Sequence, residues 1–214
     1  MCISVHQLCY VHADKEPLFQ NINLTVNTGQ RLALVGNNGT GKSTLLRIIE
    51  GNLKPSSGEV VCSSRPYYIP QHFGQFDNLT VAEALRVDDR IKALHAILEG
   101  DASAENFTCL NGDWDVEERC LSALASWNLE HLQLSQPMCS LSGAEKIRLL
   151  FCCLMIGNNA PDVFILDEPT NNLDIQSVDI ITAAIKSYSG TVLLISHDRY
   201  FVKEIKINRS VELF

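Results

Sequence analysis

An α/β fold with a buried sheet, an antiparallel β-subdomain at its N-terminal end and an inserted helical subdomain is what the 214-residue chain predicts. Three observations carry that prediction. A glycine-rich loop, Gly36-Asn37-Asn38-Gly39-Thr40-Gly41-Lys42-Ser43, joins the apolar run Arg31-Leu32-Ala33-Leu34-Val35 to a helix-like stretch from Thr44 to Glu50. Two near-continuous apolar runs, Val163 to Leu166 and Thr191 to Ile195, flank a helical pattern from Ile175 to Ser187, the signature of parallel strands covered on both faces. Between Leu79 and Leu134 the pattern turns helical, which marks an insertion. The expected division is a core of residues 1–78 and 140–214 with a helical subdomain at 79–139.

In order along the chain, residues 3–8 and 19–26 alternate apolar and polar side chains and read as half-exposed antiparallel strands, with a polar turn from Ala13 to Pro17. Asn27-Thr28-Gly29-Gln30 turns into the strand before the glycine-rich loop. Gly51 and Lys54 to Gly58 break structure, and residues 59–62 and 66–70 read as two further short strands. In the insertion, Thr80-Val81-Ala82-Glu83 has the capping-box pattern, Ile91, Leu94 and Leu98 form one helical stripe, and Val116, Cys120, Leu124 and Trp127 form another. The polar stretch from Gly100 to Trp114 reads as a loop. A helix from Ser142 to Ile156 returns to the core, and the tail from Ile205 to Phe214 alternates weakly and stops within a strand, which reads as a chain cut short.

Composition narrows the class. With 46% hydrophobic and 20% charged residues the chain is of ordinary globular composition. The run from Ile147 to Ile156 is too short to span a bilayer, so no direct membrane insertion is expected. The first residues lack the charged and apolar regions of a secretion signal, and the eight cysteines contain no C-x-x-C pair, so a cytoplasmic protein with reduced, mostly buried thiols is expected. A net charge of −8 argues against a broad nucleic-acid-binding face.

The glycine-rich loop matches G-x-x-x-x-G-K-[ST] at every fixed position, in the strand, loop, helix context that pattern requires. Glycines let successive backbone N–H groups face phosphate oxygens, and the helix start adds partial positive charge. Lys42 then reaches the β- and γ-phosphates, and the Ser43 hydroxyl is a Mg²⁺ ligand. At the end of the run Val163 to Leu166 stand two carboxylates, where α/β sheets place ligands. Asp167 is assigned to Mg²⁺. Glu168 points differently and is the candidate general base for in-line attack of water on the γ-phosphate. An acidic pair that merely favours a helix start would not account for the loop in the same sheet.

With these motifs on the page, the chain resembles the nucleotide-binding domain of ATP-binding-cassette (ABC) proteins over almost its whole length. The resemblance is carried further by Gln71 in Pro70-Gln71-His72, Leu141-Ser142-Gly143-Ala144-Glu145, Asn172-Leu173-Asp174 and His197 in Ile195-Ser196-His197-Asp198, in the family's order. It implies a P-loop NTPase core of the ABC type, with a mixed central sheet and helices on both faces. It also implies Mg-dependent hydrolysis of ATP and a head-to-tail pair of such domains. Each ATP would be held by the phosphate loop and Thr44 of one domain and by Ser142, Gly143 and Glu145 of the other. Gln71 would sense Mg²⁺ and the attacking water, His197 would contact the γ-phosphate, and Asn172 to Asp174 would communicate across the pair. Ser142 with Glu145 is also a capping box opening a helix. Two departures stand out: Ala144 occupies the place of a usual second glycine, and His12, with Tyr10 two residues earlier, stands where an aromatic ring usually stacks on adenine.

Asp167-Glu168-Pro169-Thr170-Asn171-Asn172-Leu173-Asp174, Ser196-His197-Asp198-Arg199-Tyr200-Phe201 and Glu145-Lys146 look like the ABC-F branch, and the insertion looks like that of the N-terminal domain of such a two-domain chain. That branch implies action on the ribosome, in translation or in antibiotic resistance, with contacts to ribosomal RNA through regions not evident here. The alternatives are the ATP-binding subunit of a membrane transporter and an ATP-binding regulatory module with little turnover.

Overall fold

The computed structural model describes residues 2–12, 16–154, 156, 161–171 and 173–213. In chain order its strands and helices are β1 (Ile3–Val11), β2 (Pro17–Val26), β3 (Arg31–Val35), α1 (Lys42–Glu50), β4 (Ser57–Cys62), β5 (Tyr67–Ile69), α2 (Val81–Ala84), α3 (Asp88–Leu98), α4 (Ala104–Leu110), α5 (Val116–Ser126), α6 (Gly143–Cys152), β6 (Val163–Asp167), α7 (Ile175–Ser187), β7 (Thr191–Ile195), α8 (Arg199–Glu204) and β8 (Arg209–Glu212). They fall into two compact units, Met1–Gln71 with Pro161–Phe214, and His72–Ala160.

In the first unit β2-β1-β4 is an antiparallel sheet and β5-β6-β7-β3-β8 a second sheet whose pairings are all parallel. The mixed character expected of one central sheet is thus shared between two sheets. β6 and β7 are buried at every residue, which is why their sequences carry no alternation. The apolar face of α1 (Leu45, Leu46, Ile48, Ile49) joins Ile3, Val5 and Leu8 of β1 and Leu32 and Leu34 of β3 in one core. The tail strand is real: β8 adds in parallel to β3, Leu32 facing Arg209 and Val35 facing Glu212. Arg31 fastens this edge, donating to the carbonyls of Ile185 and Tyr188 at the end of α7 and to that of Ile205 after α8.

Among the described residues the second unit is built of helices, with one isolated antiparallel bridge between Thr80 and Pro137. Its core includes Val81, Leu110, Val116, Cys120, Leu124, Trp127, Met138, Leu150 and Phe151, with Trp127 stacked on Phe151 at 5.9 Å. That stacking joins α6 to α5. The unit accordingly runs from His72 to Ala160 and takes in a helix that the 79–139 boundaries leave to the core. Two expectations are corrected here. The stretch from Gly100 to Trp114 is not a loop throughout: α4 forms inside it, with the Ser103 side chain accepting from the Asn106 N–H. Leu98 does not share the buried stripe of Ile91 and Leu94, because α3 ends at that residue and leaves it 71% exposed. The cysteines are all free, but only four of the eight are buried, while Cys109 and Cys139 are exposed. Of the polar turn after β1, residues 13–15 lie outside the described residues, and Pro17 already belongs to β2.

Candidate functional site

Three adjacent parallel strands, β6, β7 and β3, deliver their C-terminal ends to one edge of the sheet. β3 runs into the glycine-rich loop, β6 ends on Asp167, and β7 ends on Ile195 two residues before His197. Residues far apart in the chain therefore meet in a cleft of about 550 Å³, lined by Asn38, Gly39, Gly41, Lys42, Ser43, Thr44, Gln71, Asp167, Glu168, His197 and His12. All belong to the first unit.

The loop's shape depends on two glycines. Gly41 sits at φ +88°, and a Cβ there would lie 2.8 Å from Leu18 and from Phe19. Gly36 sits at φ +144°, and a Cβ there would collide with the Leu213 carbonyl. Gly41 is also the N-cap of α1 and has no side chain with which to accept from the helix's first N–H groups at the cleft. Gly36, Asn37 and Thr40 shape the loop: the Asn37 carbonyl accepts from the Thr40 hydroxyl at 3.0 Å, and the Gly36 and Asn37 carbonyls both accept from Lys42 Nζ at 2.8 Å.

The two carboxylates are held differently. Asp167 accepts from the Ser43 hydroxyl on Oδ1 (3.1 Å) and from the Tyr68 hydroxyl on Oδ2 (2.9 Å). Burial, together with the neighbouring Asp167 charge, pushes the Tyr68 phenol far above its usual range, so it acts only as a neutral donor. Glu168 adopts φ +50°, a left-handed conformation uncommon outside glycine, which turns its side chain away from the strand's alternation. Its Oε2 accepts from the His197 N–H at 3.1 Å. Its Oε1 is buried without hydrogen-bond geometry to any described residue, although His197 Nε2 lies 3.3 Å away. A buried carboxylate oxygen left in that state carries a desolvation cost, the usual mark of an atom that a ligand or water completes.

His12 and Tyr10 separate in role. His12 lines the cleft, whereas Tyr10 meets it edge-on at 5.5 Å and packs against Phe19. Ser142, Gly143 and Glu145 belong to the second unit and open α6 there. The capping box is complete. Ser142 Oγ accepts from the Glu145 N–H, and the Glu145 carboxylate accepts from the Ser142 N–H at 2.8 Å and hydroxyl at 2.6 Å. His131 Nε2 adds a third contact at 2.9 Å. These bonds, those from Ser142 foremost, hold the Glu145 carboxyl down at about 2. Asn172 lies outside the described residues, and Asp174 caps α7 by accepting from the Ser177 N–H.

Sequence reasoning missed Leu18, Asn171 and Ile195 in the cleft wall and Tyr68 behind Asp167. Only Tyr68 left a signal, a polar hydroxyl inside a buried strand and three residues before Gln71.

The sequence profile of the family described as ABC transporter matches residues 19–171. ABC transporter F family member 2 of Arabidopsis thaliana is 36% identical over 211 residues, which are 99% of this chain and 28% of the plant protein. The ATP-binding protein Uup of Haemophilus influenzae is 30% identical over 185 residues, covering 86% of this chain and 26% of that one. The chain thus spans only about a quarter of the length of these relatives. Among solved structures, a dimeric bacterial ABC transporter cassette shares the fold at 22% identity and a TM-score of 0.69, with 99% of this chain and 94% of that one covered. With the matched profile running from β2 through the Asp167-Glu168 strand, this chain belongs to the ABC transporter family of ATP-binding domains, and its relatives include members of the F branch.

Proposed function

We propose that the cleft binds ATP with Mg²⁺ and hydrolyses it when a second ABC domain completes the site, and that the closure so driven serves an ABC-F protein acting on the ribosome. The observation that carries the hydrolytic reading is the buried, unsatisfied Glu168 Oε1 beside His197 at the mouth of a glycine-shaped phosphate cradle. The donor set suits the metal: Ser43 Oγ, the Asp167 carboxylate and the Gln71 amide are hard oxygen ligands lining one cleft. Bound there, Mg²⁺ would neutralise charge on the β- and γ-phosphate oxygens.

The chain's own residues do the rest. The N–H groups of the loop and of α1 cradle the phosphates, and Lys42 supplies positive charge as the bond from the γ-phosphorus to the bridging oxygen breaks. Glu168 takes the proton of the attacking water, so that phosphate and ADP leave. His197 holds the water and the γ-phosphate in line and steadies Glu168 through its N–H. His12 stacks on adenine with Tyr10 behind it. Ser142, Gly143 and Glu145, at the start of α6, serve the partner domain's ATP, and Asn172 to Asp174 relay between the two domains.

The pairing is supported by the dimeric cassette of the same fold, and the F branch by the names of the relatives. Phosphate release per mole of chain, measured against chain concentration, tests the shared site. The reading expects slow turnover that rises with concentration, and fast turnover independent of concentration would contradict it. Co-sedimentation of the full-length Glu168→Gln protein with ribosomes in ATP tests the target. Retention in the ribosomal pellet is expected, and its absence would defeat the ribosomal reading.

A further inference from the structure

The start of α6 is closed by its own side chains. Glu145 Oε2 accepts from both the N–H and the hydroxyl of Ser142, and Ser142 Oγ accepts from the Glu145 N–H. The Ser142 hydroxyl hydrogen is therefore committed inside the capping box, and a carboxylate already occupies the place where the helix dipole favours an anion. Gly143 leaves the approach open, since a Cβ there would meet nothing within 4 Å. A phosphate oxygen arriving at this helix start thus meets open space, a closed hydroxyl and a negative charge that repels it.

What meets the other carboxylate oxygen matters for that reason. His131 Nε2 stands 2.9 Å from Glu145 Oε1. Glu145, held down at about 2, is ionised at neutral pH, and an ionised carboxylate only accepts, so Nε2 carries the hydrogen and donates it. The neighbouring cations are committed elsewhere: Lys146 pairs with Asp77 at 2.6 Å, and Arg148 donates to the carbonyls of Ala144 and Trp127. Among the described residues no ion pair but that with His131 reaches Glu145. The fold fixes the imidazole there. Trp127, at the end of α5, stacks on Phe151 of α6 and gives its carbonyl to Arg148, and Leu129 and Leu132 are buried on either side of His131, which stays exposed beside Glu145.

We propose, on the reading that the start of α6 completes the partner domain's site, that His131 is a positioning residue for the partner's ATP. Its Nε2–H holds the Glu145 carboxylate by Oε1 and lowers the negative charge that Oε2 presents, so the Ser142 hydroxyl can turn its hydrogen to an incoming γ-phosphate. Without the imidazole, the charge and the closed hydroxyl both oppose that phosphate.

The test uses the full-length protein carrying Glu168→Gln, with a donor dye on one ABC domain and an acceptor dye on the other. Energy transfer between them reads the ATP concentration for half-maximal closure. His131→Leu should raise that concentration by about five-fold or more, whereas His131→Gln, which keeps an N–H donor, should stay within about two-fold of the parent. The coupling to Glu145 is the sharper readout: with Glu145→Gln also present there is no charge to offset, and His131→Leu should shift closure by less than about two-fold. A residue that merely braces the fold would not show that rescue, and melting temperature checks that each variant stays folded. No shift with His131→Leu, or an equal shift with and without Glu145→Gln, would overturn the proposal. Ser142→Ala separates it from the reading beneath it. If Ser142→Ala raises the ATP concentration and His131→Leu does not, the proposal alone falls; if ATP brings about no closure, or closure ignores Ser142→Ala as well, the reading of α6 falls with it.

Discussion

Asp167 and Glu168 are neighbours in sequence with opposite surroundings, and the difference begins at one backbone angle. Asp167 ends a buried strand and is held by two hydroxyls, while Glu168 turns through φ +50° into the cleft with one oxygen unsatisfied. The hydroxyl of Tyr68 fixes the orientation of the Asp167 carboxylate, and orientation is what a metal ligand needs. Tyr68→Phe, which keeps the ring and removes the donor, should raise the Mg²⁺ concentration for half-maximal binding of a fluorescent ATP analogue by roughly ten-fold with little change in melting temperature. A second residue-scale expectation concerns acid. Glu145, held at about 2 in the folded chain against 4.5 when free, adds stability that is fully present above about pH 4.5 and is lost as the pH falls toward 2. Urea unfolding should therefore show the native chain losing more stability than Glu145→Gln between those limits.

At the scale of elements, adjacency in a parallel sheet turns sequence distance into proximity, because β3, β6 and β7 all end at one edge. This part was legible in the chain, since buried parallel strands are written as unbroken apolar runs and the glycine-rich loop has a fixed spacing. α4 was not legible. It is seven residues long, begins at a serine cap among polar residues and ends at Asn111 in a left-handed conformation, too short for a 3.6-residue period to show. Nor could the residues themselves reveal what Asp113 does. Nearly buried, it accepts from Arg90 of α3 at 3.1 Å and from Arg119 of α5, tying the two helices together. Asp113→Ala should cost about 1–3 kcal/mol, read from urea unfolding, because it removes the acceptor shared by α3 and α5 and, among the described residues, leaves Arg90 with only the Arg86 carbonyl, while Arg119 keeps Asp115.

At the scale of the whole molecule, the chain divides its labour by charge and by chemistry. The first unit, nearly neutral, carries the cleft, and the second, strongly acidic, carries the α6 cap and an exposed apolar face. The motifs of both halves could be read from the sequence because each has a fixed pattern. The depressions beside Leu121 could not, because they are made by helices packing side by side, with Trp114 and Leu121 half exposed outside the buried stripe of Val116, Cys120 and Leu124. The central claim is that Glu168 is the base of a hydrolytic cleft, and Glu168→Gln tests it with phosphate release and bound ATP measured in the same samples. The account predicts that ATP binding is retained while release falls by about 10²-fold or more. Release equal to that of the unaltered chain would contradict it.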